Sequence, residues 1–268
     1  MSRWFDLTGA RVLITGAGSG IGRRMALEAA SRGAEVVIWD LHGAAAEATA
    51  VQVRDMGGTA TAAVVDVTDA AAVARAADAA GPVDVLINNA GVVTGARLLE
   101  ATEQQIRRTF EVNTLALYWT TRAFLPGMIE RGRGRVVTIA SAAGLVGVAR
   151  QTDYAASKWA AIGFTESLRA ELRRDGLPVS TLYVAPYYID TGMFEGVTTK
   201  FPLLLPILQE REVARRVIQA VESGAQRLIM PPFAAVVPVL RVLPVVAMDA
   251  VTDFFGINQT MDDFTGRA

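Results

Sequence analysis

Three side chains near the middle of the sequence have the chemistry to hold a carbonyl oxygen and exchange its proton. Tyr154 and Lys158 lie four residues apart, so on a helix they share one face and their side chains meet. A lysine ammonium beside a phenol favours the phenolate, which predicts a pKa of Tyr154 below its usual ~10. Ser141 follows the apolar run Arg135–Ala140, which is typical of a buried strand, and open α/β sheets bind ligands at such strand ends. The three side chains therefore predict an acid–base site.

Lysine usage supports a special role for Lys158. The chain has only two lysines, Lys158 and Lys200, and uses arginine at its other basic positions. An arginine guanidinium is a rigid planar fork, whereas a lysine ammonium is compact and its donors rotate freely. We therefore expect Lys158 to serve a function that arginine fills poorly.

A glycine-rich turn near the N-terminus predicts a phosphate site. The apolar strand Arg11–Thr15 runs into TGAGSGIG at Thr15–Gly22, and a helix is expected to follow through about Arg32. Glycines at such a turn allow the backbone to approach a pyrophosphate, and the helix N-terminus supplies N–H groups and a positive dipole end. The expected phosphate contacts are Gly16, Ser19, Gly20, Ile21 and Gly22.

The end of the second predicted strand indicates which dinucleotide would bind. Glu35–Trp39 ends in Asp40, and an acid about 20 residues past the glycines can accept hydrogen bonds from an adenosine ribose. The same carboxylate would repel a 2′-phosphate, and Leu41 stands where an enzyme that uses NADP would more often have arginine. The sequence therefore predicts NAD as the cofactor, although Arg23 and Arg24 on the first helix would favour NADP.

Further strands and helices alternate along the chain. Strands are expected at Thr59–Val65 and Val83–Ile87, with alanine-rich helices at Ala44–Met56 and Asp69–Ala80. This alternation implies a parallel sheet with helices on both faces. Polar and small residues end these strands, where they would bond adenine or let a nucleoside lie flat: Asp66, Val67, Asn89, Ala90 and Gly91.

An asparagine interrupts the apolar pattern of the next predicted helix, Thr102–Leu125. Asn113 lies in its middle, and an interior asparagine competes with the backbone for hydrogen bonds. The position predicts either a slightly strained surface residue or a local helix break that holds a water for proton relay. The residue type alone does not choose between them.

Together these motifs resemble the short-chain dehydrogenase/reductase family, in its branch of NAD-dependent secondary alcohol, hydroxysteroid and retinol dehydrogenases. The resemblance runs from Leu7 to about Met230, and implies one catalytic domain, residues 1–230, built on a doubly wound, parallel seven-stranded α/β sheet, the Rossmann fold. It also implies a catalytic tetrad, in which Asn113 anchors a relay water and Lys158 also bonds the nicotinamide ribose. The matching motifs are TGAGSGIG, Asp40, Asp66–Val67, NNAG at Asn88–Gly91, Asn113, Ser141 and YAASK at Tyr154–Lys158.

The segment after the sixth predicted strand, Val179–Val184, departs from the family pattern at one position. The resemblance places Pro186, Ile189 and Thr191 against the nicotinamide carboxamide. Tyr187 stands where the family usually has glycine. A bulky ring there is expected to narrow the pocket or to stack near the nicotinamide.

Apolar residues dominate the last quarter of the chain. The resemblance makes residues 190–226, approximately, a mobile lid, and the extension 231–268 is apolar apart from scattered charges. We expect the extension to pack on the domain or on a partner subunit, with contact to a lipid surface as the alternative. The expected substrate contacts are Ser141, Leu145, Val146, Tyr154, Tyr187, Tyr188, Met193 and Phe194.

Composition argues against several other classes of protein. The chain has 268 residues, which suits one large α/β domain, and a net charge of −1 argues against a nucleic-acid partner. It has no cysteine and one histidine, His42, so disulfides, cysteine nucleophiles and metal clusters are not expected. The N-terminus lacks a signal peptide's apolar core, and no run reaches the ~20 apolar residues of a membrane span. We expect a cytoplasmic protein, and the resemblance indicates a homodimer or homotetramer.

These features predict an NAD(H)-dependent oxidoreductase that interconverts a hydrophobic secondary alcohol and its ketone. A long-chain hydroxy fatty acid, a steroid- or retinoid-like alcohol or an aryl alcohol would suit the apolar lid and extension. One alternative is a 3-oxoacyl-carrier-protein reductase, which would need NADPH and a basic docking face formed by Arg131, Arg133, Arg169 and Arg173. A second alternative is a dinucleotide-binding sensor or scaffold without turnover, and the complete tetrad argues against it.

Overall fold

Strands and helices alternate through most of the part of the chain that the computed structural model describes, residues 5–266. The strands are β1 (Arg11–Thr15), β2 (Glu35–Asp40), β3 (Thr59–Val64), β4 (Val85–Asn88), β5 (Gly134–Ile139), β6 (Val179–Pro186), β7 (Ile189–Asp190), β8 (Leu208–Gln209) and β9 (Arg227–Met230). The α-helices are α1 (Gly20–Ala30), α2 (Gly43–Asp55), α3 (Ala70–Ala80), α4 (Glu103–Phe110), α5 (Ala116–Glu130), α6 (Thr152–Arg174), α7 (Glu210–Glu222), α8 (Val237–Leu240) and α9 (Val245–Phe254).

Seven of the strands form one parallel sheet, which confirms the predicted doubly wound fold. Their order across the sheet is β3-β2-β1-β4-β5-β6-β9, and every neighbouring pair is parallel. The order of the strands reverses between β1 and β4, so the connections after these two strands lead to opposite sides. A crevice opens there at the carboxyl ends of the strands, where such sheets bind ligands.

Helices cover both faces of the sheet, and the central strands are therefore buried on both sides. Successive residues of β1 face opposite cores: Val12 and Ile14 pack with α1 and α7, whereas Leu13 packs against residues of α3, α5 and α6. This explains why β1 and β5 have continuous apolar runs rather than an alternating pattern. It also fixes the position of the strand ends on which the site is built.

The helix predicted around Asn113 contains a π-helical turn at that residue. A capping box between Thr102 and Gln105 starts α4, a π-helical turn follows at Glu111–Leu115, and α5 then continues to Glu130. A π turn inside a helix displaces part of the backbone hydrogen-bond pattern, and such turns are frequent at functional sites. Asn113 is 2% exposed, so it is not the surface residue of the first alternative. The local irregularity of the second alternative is present as a π turn, and its relay water stays a prediction.

The range predicted for the lid, residues 190–226, includes a helix that packs into the core. Its second half forms α7, whose Val213, Val217 and Ile218 are fully buried in the main core beside α1. A helix held in this way cannot swing over the crevice. The segment that covers the crevice is therefore limited to the residues before α7, and the pairing of β7 with β8 closes its base.

The C-terminal extension packs on the lid through aromatic rings. Phe201 of the lid lies 5.5 Å, between ring centroids, from both Phe254 and Phe255, and Phe255 lies 5.3 Å from Phe233. The sequence left open whether the extension contacts its own domain or a partner, and the described residues contact their own domain. Within residues 5–266, no helix is both long and apolar enough to cross a membrane.

A buried arginine joins the sheet to α7. Arg135 of β5 is 1% exposed, and its guanidinium donates hydrogen bonds to Ser180 Oγ and to the carbonyl oxygens of Ala220 and Ala225. Burial lowers its pKa to about 10, so the group is still charged at neutral pH. The position also suits a cation because Ala220 lies in the last turn of α7, at the negative end of the helix dipole.

Replacing Arg135 with alanine tests this connection. We expect the free energy of unfolding to fall by about 2–4 kcal/mol, because a buried side chain is lost and the carbonyl oxygens lose a donor. Urea unfolding measures the difference. The matched control is Arg173→Ala, at an exposed position on α6, which should change stability by less than about 0.5 kcal/mol. Equal losses in the two variants would contradict a stabilising role for the buried guanidinium.

Candidate active site

One continuous cavity of about 380 Å³ lies over the carboxyl ends of the sheet strands. The glycine turn between β1 and α1 lines it, together with the ends of β2, β4, β5 and β6, the N-terminal turn of α6, the lid and the extension. This volume is in the range of sites for small organic ligands. The predicted acid–base residues and the predicted nucleotide residues therefore face the same space.

Tyr154 and Lys158 lie on consecutive turns of α6 and are both almost completely buried. Their exposed fractions are 5% and 4%, and the Lys158 ammonium lies 5.6 Å from the centroid of the Tyr154 ring. Lys158 Nζ donates a 3.0 Å hydrogen bond to the carbonyl oxygen of Ile139, the last residue of β5. Ser141 stands two residues further on, so β5 and α6 bring all three predicted side chains together.

The predicted decrease in the pKa of Tyr154 is wrong for the chain by itself. Burial raises the pKa of Tyr154 to about 12, and a hydrogen bond with Ser141 opposes this shift only partly. Burial also lowers the pKa of Lys158 to about 8. Sequence spacing shows the ammonium as a charge near the phenol, but it does not show the cost of removing both groups from water.

Asn113 supports the site by bonding the backbone of Val92, which lines the cavity. Its Oδ1 accepts a hydrogen bond from the Val92 amide at 2.9 Å, and its Nδ2 donates to the Val92 carbonyl oxygen at 2.9 Å and to Ser157 Oγ at 3.0 Å. These bonds hold the segment after β4 against α6. Asn113 does not itself line the cavity, and its role as the anchor of a relay water stays a prediction.

The glycine turn forms a cradle that side chains would fill. A Cβ atom on Gly16 would lie 2.9 Å from Ala90 Cα, and one on Gly22 would lie 2.6 Å from Asn89 Nδ2. Gly16 also has a φ of +64°, which favours glycine. The close approach of β1, α1 and the end of β4 therefore requires glycine, and the amide groups at the start of α1 face the cavity. This geometry fits the pyrophosphate of a dinucleotide.

Asp40 closes the nucleotide end of the cavity. Its Oδ2 accepts a 2.8 Å hydrogen bond from the Gly18 amide, and its Oδ1 accepts a 2.9 Å bond from the His42 amide. Neither of these donors is a cation, and Asp40 lines the cavity. A 2′-phosphate placed here would meet the carboxylate, whereas a ribose hydroxyl could donate to it.

Thr15 is a further residue that organises this end, and the sequence reasoning did not single it out. Its hydroxyl accepts hydrogen bonds from the amides of Asn89 and Ala90, both at 3.0 Å. Asn89 Nδ2 donates in return to the Thr15 carbonyl oxygen at 2.9 Å. These bonds join the ends of β1 and β4 at the point where the strand order reverses.

All the residues predicted to bind the cofactor line the cavity. They are Gly16, Ser19, Gly20, Ile21, Gly22, Asp40, Leu41, Asp66, Val67, Asn89, Ala90, Gly91, Tyr154, Lys158, Pro186, Ile189 and Thr191. The two halves of the site meet at α6. A Cβ on Gly91 would lie 3.5 Å from Lys158 Nζ, and the ring of Tyr154 lies 5.8 Å from that of Phe194 in the lid.

The predicted substrate residues also line the cavity, with one exception. Leu145 is 8% exposed and packs beneath the site against Leu117, Ala161 and Ile162. A short 3₁₀ turn at Ala142–Gly144 directs Leu145 toward the helices, which the sequence pattern did not reveal. The residues that do line it are Ser141, Val146, Tyr154, Tyr187, Tyr188, Met193 and Phe194.

The extension supplies a large apolar part of the wall. In the sequence, the apolar character of the extension indicated that it would be buried, but no residue spacing identified which of its side chains line the cavity. The lining residues from the extension include Phe233, Val237, Leu240, Met248, Val251 and Phe255. Gln151, one turn before Tyr154, is a polar lining residue that no motif marked. No group of side chains within residues 5–266 is arranged to hold a metal ion.

Comparison with known proteins gives consistent matches across the chain. The family model for short chain dehydrogenases matches residues 10–201. The chain is 40% identical over 269 residues to epidermal retinol dehydrogenase 2 of Mus musculus, covering 98% of this chain and 87% of that protein. It is 39% identical to estradiol 17-beta-dehydrogenase 11 of Rattus norvegicus, covering 89% of this chain and 81% of that protein.

A solved structure agrees with the sequence comparisons. A short chain dehydrogenase/reductase from Burkholderia phymatum, in complex with NAD, superposes with a TM-score of 0.80 at 29% identity, covering 93% of this chain and 96% of that chain. The family model spans most of this chain, and the relatives extend the match over its lid and extension. On this evidence, and with the Ser141, Tyr154 and Lys158 site in place, the chain belongs to the short-chain dehydrogenase family.

Proposed function

We propose that the protein interconverts a hydrophobic secondary alcohol and its ketone with NAD(H). The observation that carries this proposal is a single cavity with two parts that meet at Tyr154 and Lys158. One part is the glycine-rich dinucleotide cradle. The other is an apolar chamber, the substrate chamber, lined by Phe233, Val237, Leu240, Met248, Val251 and Phe255. NAD, when bound, supplies the hydride acceptor or donor. The protein supplies orientation, the proton and a site from which water is excluded.

Each polar group near the reacting oxygen has a separate task in this proposal. Tyr154 gives a proton to the ketone oxygen in reduction and takes it from the alcohol in oxidation. Ser141 holds that oxygen by a hydrogen bond. Lys158 bonds the nicotinamide ribose, and its ammonium is the cation that would offset part of the cost of ionising Tyr154 in oxidation. Asn113 anchors a relay water. Because burial raises the pKa of Tyr154, the isolated chain holds it as the protonated acid.

The nucleotide residues divide among the parts of NAD. The turn from Gly16 to Gly22 receives the pyrophosphate, Asp40 and Leu41 receive the adenosine ribose, and Asp66 receives the adenine. Asn89, Ala90 and Gly91 pack on the nucleoside, while Pro186, Ile189 and Thr191 contact the carboxamide. The NAD bound to the Burkholderia phymatum relative supports this assignment.

We infer that the substrate is large and apolar. The names of the relatives, a retinol dehydrogenase and an estradiol dehydrogenase, support a retinoid-like, steroid-like or long-chain alcohol. The apolar wall contributed by the extension supports the same class. The 3-oxoacyl-carrier-protein alternative is less well supported, because it needs NADPH and the Asp40 carboxylate lines the nucleotide end of the cavity.

We also propose a cytoplasmic homodimer or homotetramer, with residues 1–230 as the catalytic domain. Leu115 and Tyr118 lie on the helix that runs from α4 into α5, and each is 43% exposed. Exposed apolar side chains there support pairing of this helix and α6 with the same helices of a second subunit, across a two-fold axis. Residues 231–268 would then cover the substrate in each subunit. Contact with a lipid surface is an alternative for the exposed side of the extension.

The first prediction concerns the choice between NAD and NADP. Native enzyme should have a kcat/KM for NAD at least tenfold above that for NADP, because the Asp40 carboxylate opposes a 2′-phosphate. In Asp40→Ala the selectivity should fall by tenfold or more. Glu35→Ala, at the exposed first residue of the same strand, is the control and should keep the native selectivity. A native preference for NADP would overturn the assignment of Asp40.

The second prediction concerns the proton carrier. Tyr154→Phe keeps the ring but removes the transferable proton, so kcat should fall by at least about 10²-fold, within the range of general acid–base catalysis. NADH binding, followed by nucleotide fluorescence, should stay within about twofold of native. Tyr183→Phe, elsewhere in the core, is a control that should retain turnover. Turnover by Tyr154→Phe at near the native rate would show that another group carries the proton.

The third prediction concerns substrate length. Each added methylene should raise kcat/KM roughly three- to fourfold until the chamber is full, because burial of a methylene contributes up to about 0.8 kcal/mol. Val251 lines the chamber, whereas Val246 on the same helix is 81% exposed. Val251→Ala should lower kcat/KM for long alcohols by roughly fivefold and leave short ones unchanged. Val246→Ala should have no effect, and a native enzyme indifferent to chain length would rule out an apolar substrate chamber.

A further inference from the structure

A line of buried hydrogen bonds connects the substrate chamber with the C-terminal extension. Gln151 Nε2 lies 3.2 Å from the Tyr188 hydroxyl, which lies 2.8 Å from Thr260 Oγ1. Gln151 is 1% exposed, Tyr188 is 8% exposed and Thr260 is 2% exposed. Gln151 and Tyr188 also line the cavity. Polar groups in such surroundings must be satisfied, so the line is an ordered part of the site.

The direction of these hydrogen bonds is fixed at the far end. Thr260 Oγ1 donates to the carbonyl oxygen of Ile257 at 2.8 Å, so it can only accept from Tyr188. Tyr188 therefore donates its hydroxyl hydrogen to Thr260 and accepts at the same oxygen. The partner that donates to Tyr188 is the amide nitrogen of Gln151, and the orientation of the Gln151 amide follows.

This orientation leaves the other end of the Gln151 amide for a ligand. With Nε2 committed to Tyr188, the carbonyl oxygen Oε1 accepts no hydrogen bond from any residue in the described part of the chain, 5–266. Gln151 immediately precedes α6, three residues before Tyr154, and both side chains line the cavity. A buried acceptor thus lies in the chamber near the reacting oxygen.

We propose that Gln151 is a specificity-determining residue that accepts a hydrogen bond from a second hydroxyl, or another donor, on the substrate. The proposal rests on the proposed function and narrows its substrate class to apolar ketones and alcohols with a donor one or two carbons from the reacting carbon. Tyr188 and Thr260 act as positioning residues, since they hold the Gln151 amide with its acceptor directed to the chamber. An acceptor built into an otherwise apolar wall disfavours a ligand that cannot donate to it.

Matched ketones test the proposal by binding and by turnover. The probes are 1-hydroxydodecan-2-one and 1-methoxydodecan-2-one, which carry the same electron-withdrawing oxygen but differ in the ability to donate. Native enzyme should bind the hydroxy ketone about three- to tenfold more tightly by calorimetry, in the range of one neutral hydrogen bond. Its kcat/KM should show the same preference. In Gln151→Met, which keeps the size but not the acceptor, both ratios should fall to near one.

Two further variants separate recognition from a loss of structure. Tyr188→Phe removes the acceptor that fixes the Gln151 amide, so the preference should fall while the chamber stays apolar. Val148→Ala, at an apolar lining residue nearby, should change affinity for both ketones equally and keep the native ratio. An unchanged ratio in Gln151→Met and Tyr188→Phe would overturn the proposal. Binding preference without turnover in native enzyme would support the role of Gln151 and contradict the proposed reaction instead.

Discussion

A buried ammonium ion is the constraint around which the site is built. Lys158 is 4% exposed, and the hydrogen bond it makes is to the carbonyl oxygen of Ile139 at the end of β5. Within residues 5–266 it forms no ion pair with a carboxylate, and burial opposes its charge and lowers its pKa to about 8. A cation in such surroundings is tolerated only if nearby dipoles are held in place. The charge of Lys158 therefore depends on the position of β5 relative to α6, because β5 carries the Ile139 carbonyl oxygen that accepts its hydrogen bond.

The surrounding residues supply that rigidity through backbone contacts. Asn113 bonds both polar groups of Val92 and reaches Ser157 on α6, while Thr15 joins the ends of β1 and β4. Each of these residues makes its contact from an element that is already fixed by the sheet or its covering helices. The dinucleotide cradle and the acid–base group are thus positioned by one framework, although more than a hundred residues separate them in the sequence.

The sequence predicted the features that depend on local pattern. The doubly wound parallel sheet is confirmed, and the turn from Gly16 to Gly22 lies between β1 and α1 as predicted. Both follow from patterns within short windows, namely the glycine turn and the alternation of strands and helices. The pKa of Tyr154 could not be predicted from spacing, since it depends on burial by distant segments. Leu145 was misplaced because a short 3₁₀ turn changes the direction of its side chain.

No local sequence pattern identifies the residues that complete the substrate chamber. Met248 and Val251 come from a segment about ninety residues after Lys158, and no short motif brings them to the site. Gln151 lies close to Tyr154 in sequence, but its importance depends on Tyr188 and Thr260, which only the fold brings to it. Apolar composition indicated that the extension would be buried somewhere, without indicating where.

The aromatic contact between the lid and the extension has a consequence for how the chamber opens. Phe201 stacks on Phe254, and the Lys200 ammonium lies 5.6 Å from both ring centroids and donates to the Phe254 carbonyl oxygen. Moving the lid away from the chamber would break these contacts unless the extension moved with it, so opening the chamber involves both segments. Because the extension also supplies wall residues, a substitution in it would alter access to the site as well as its lining.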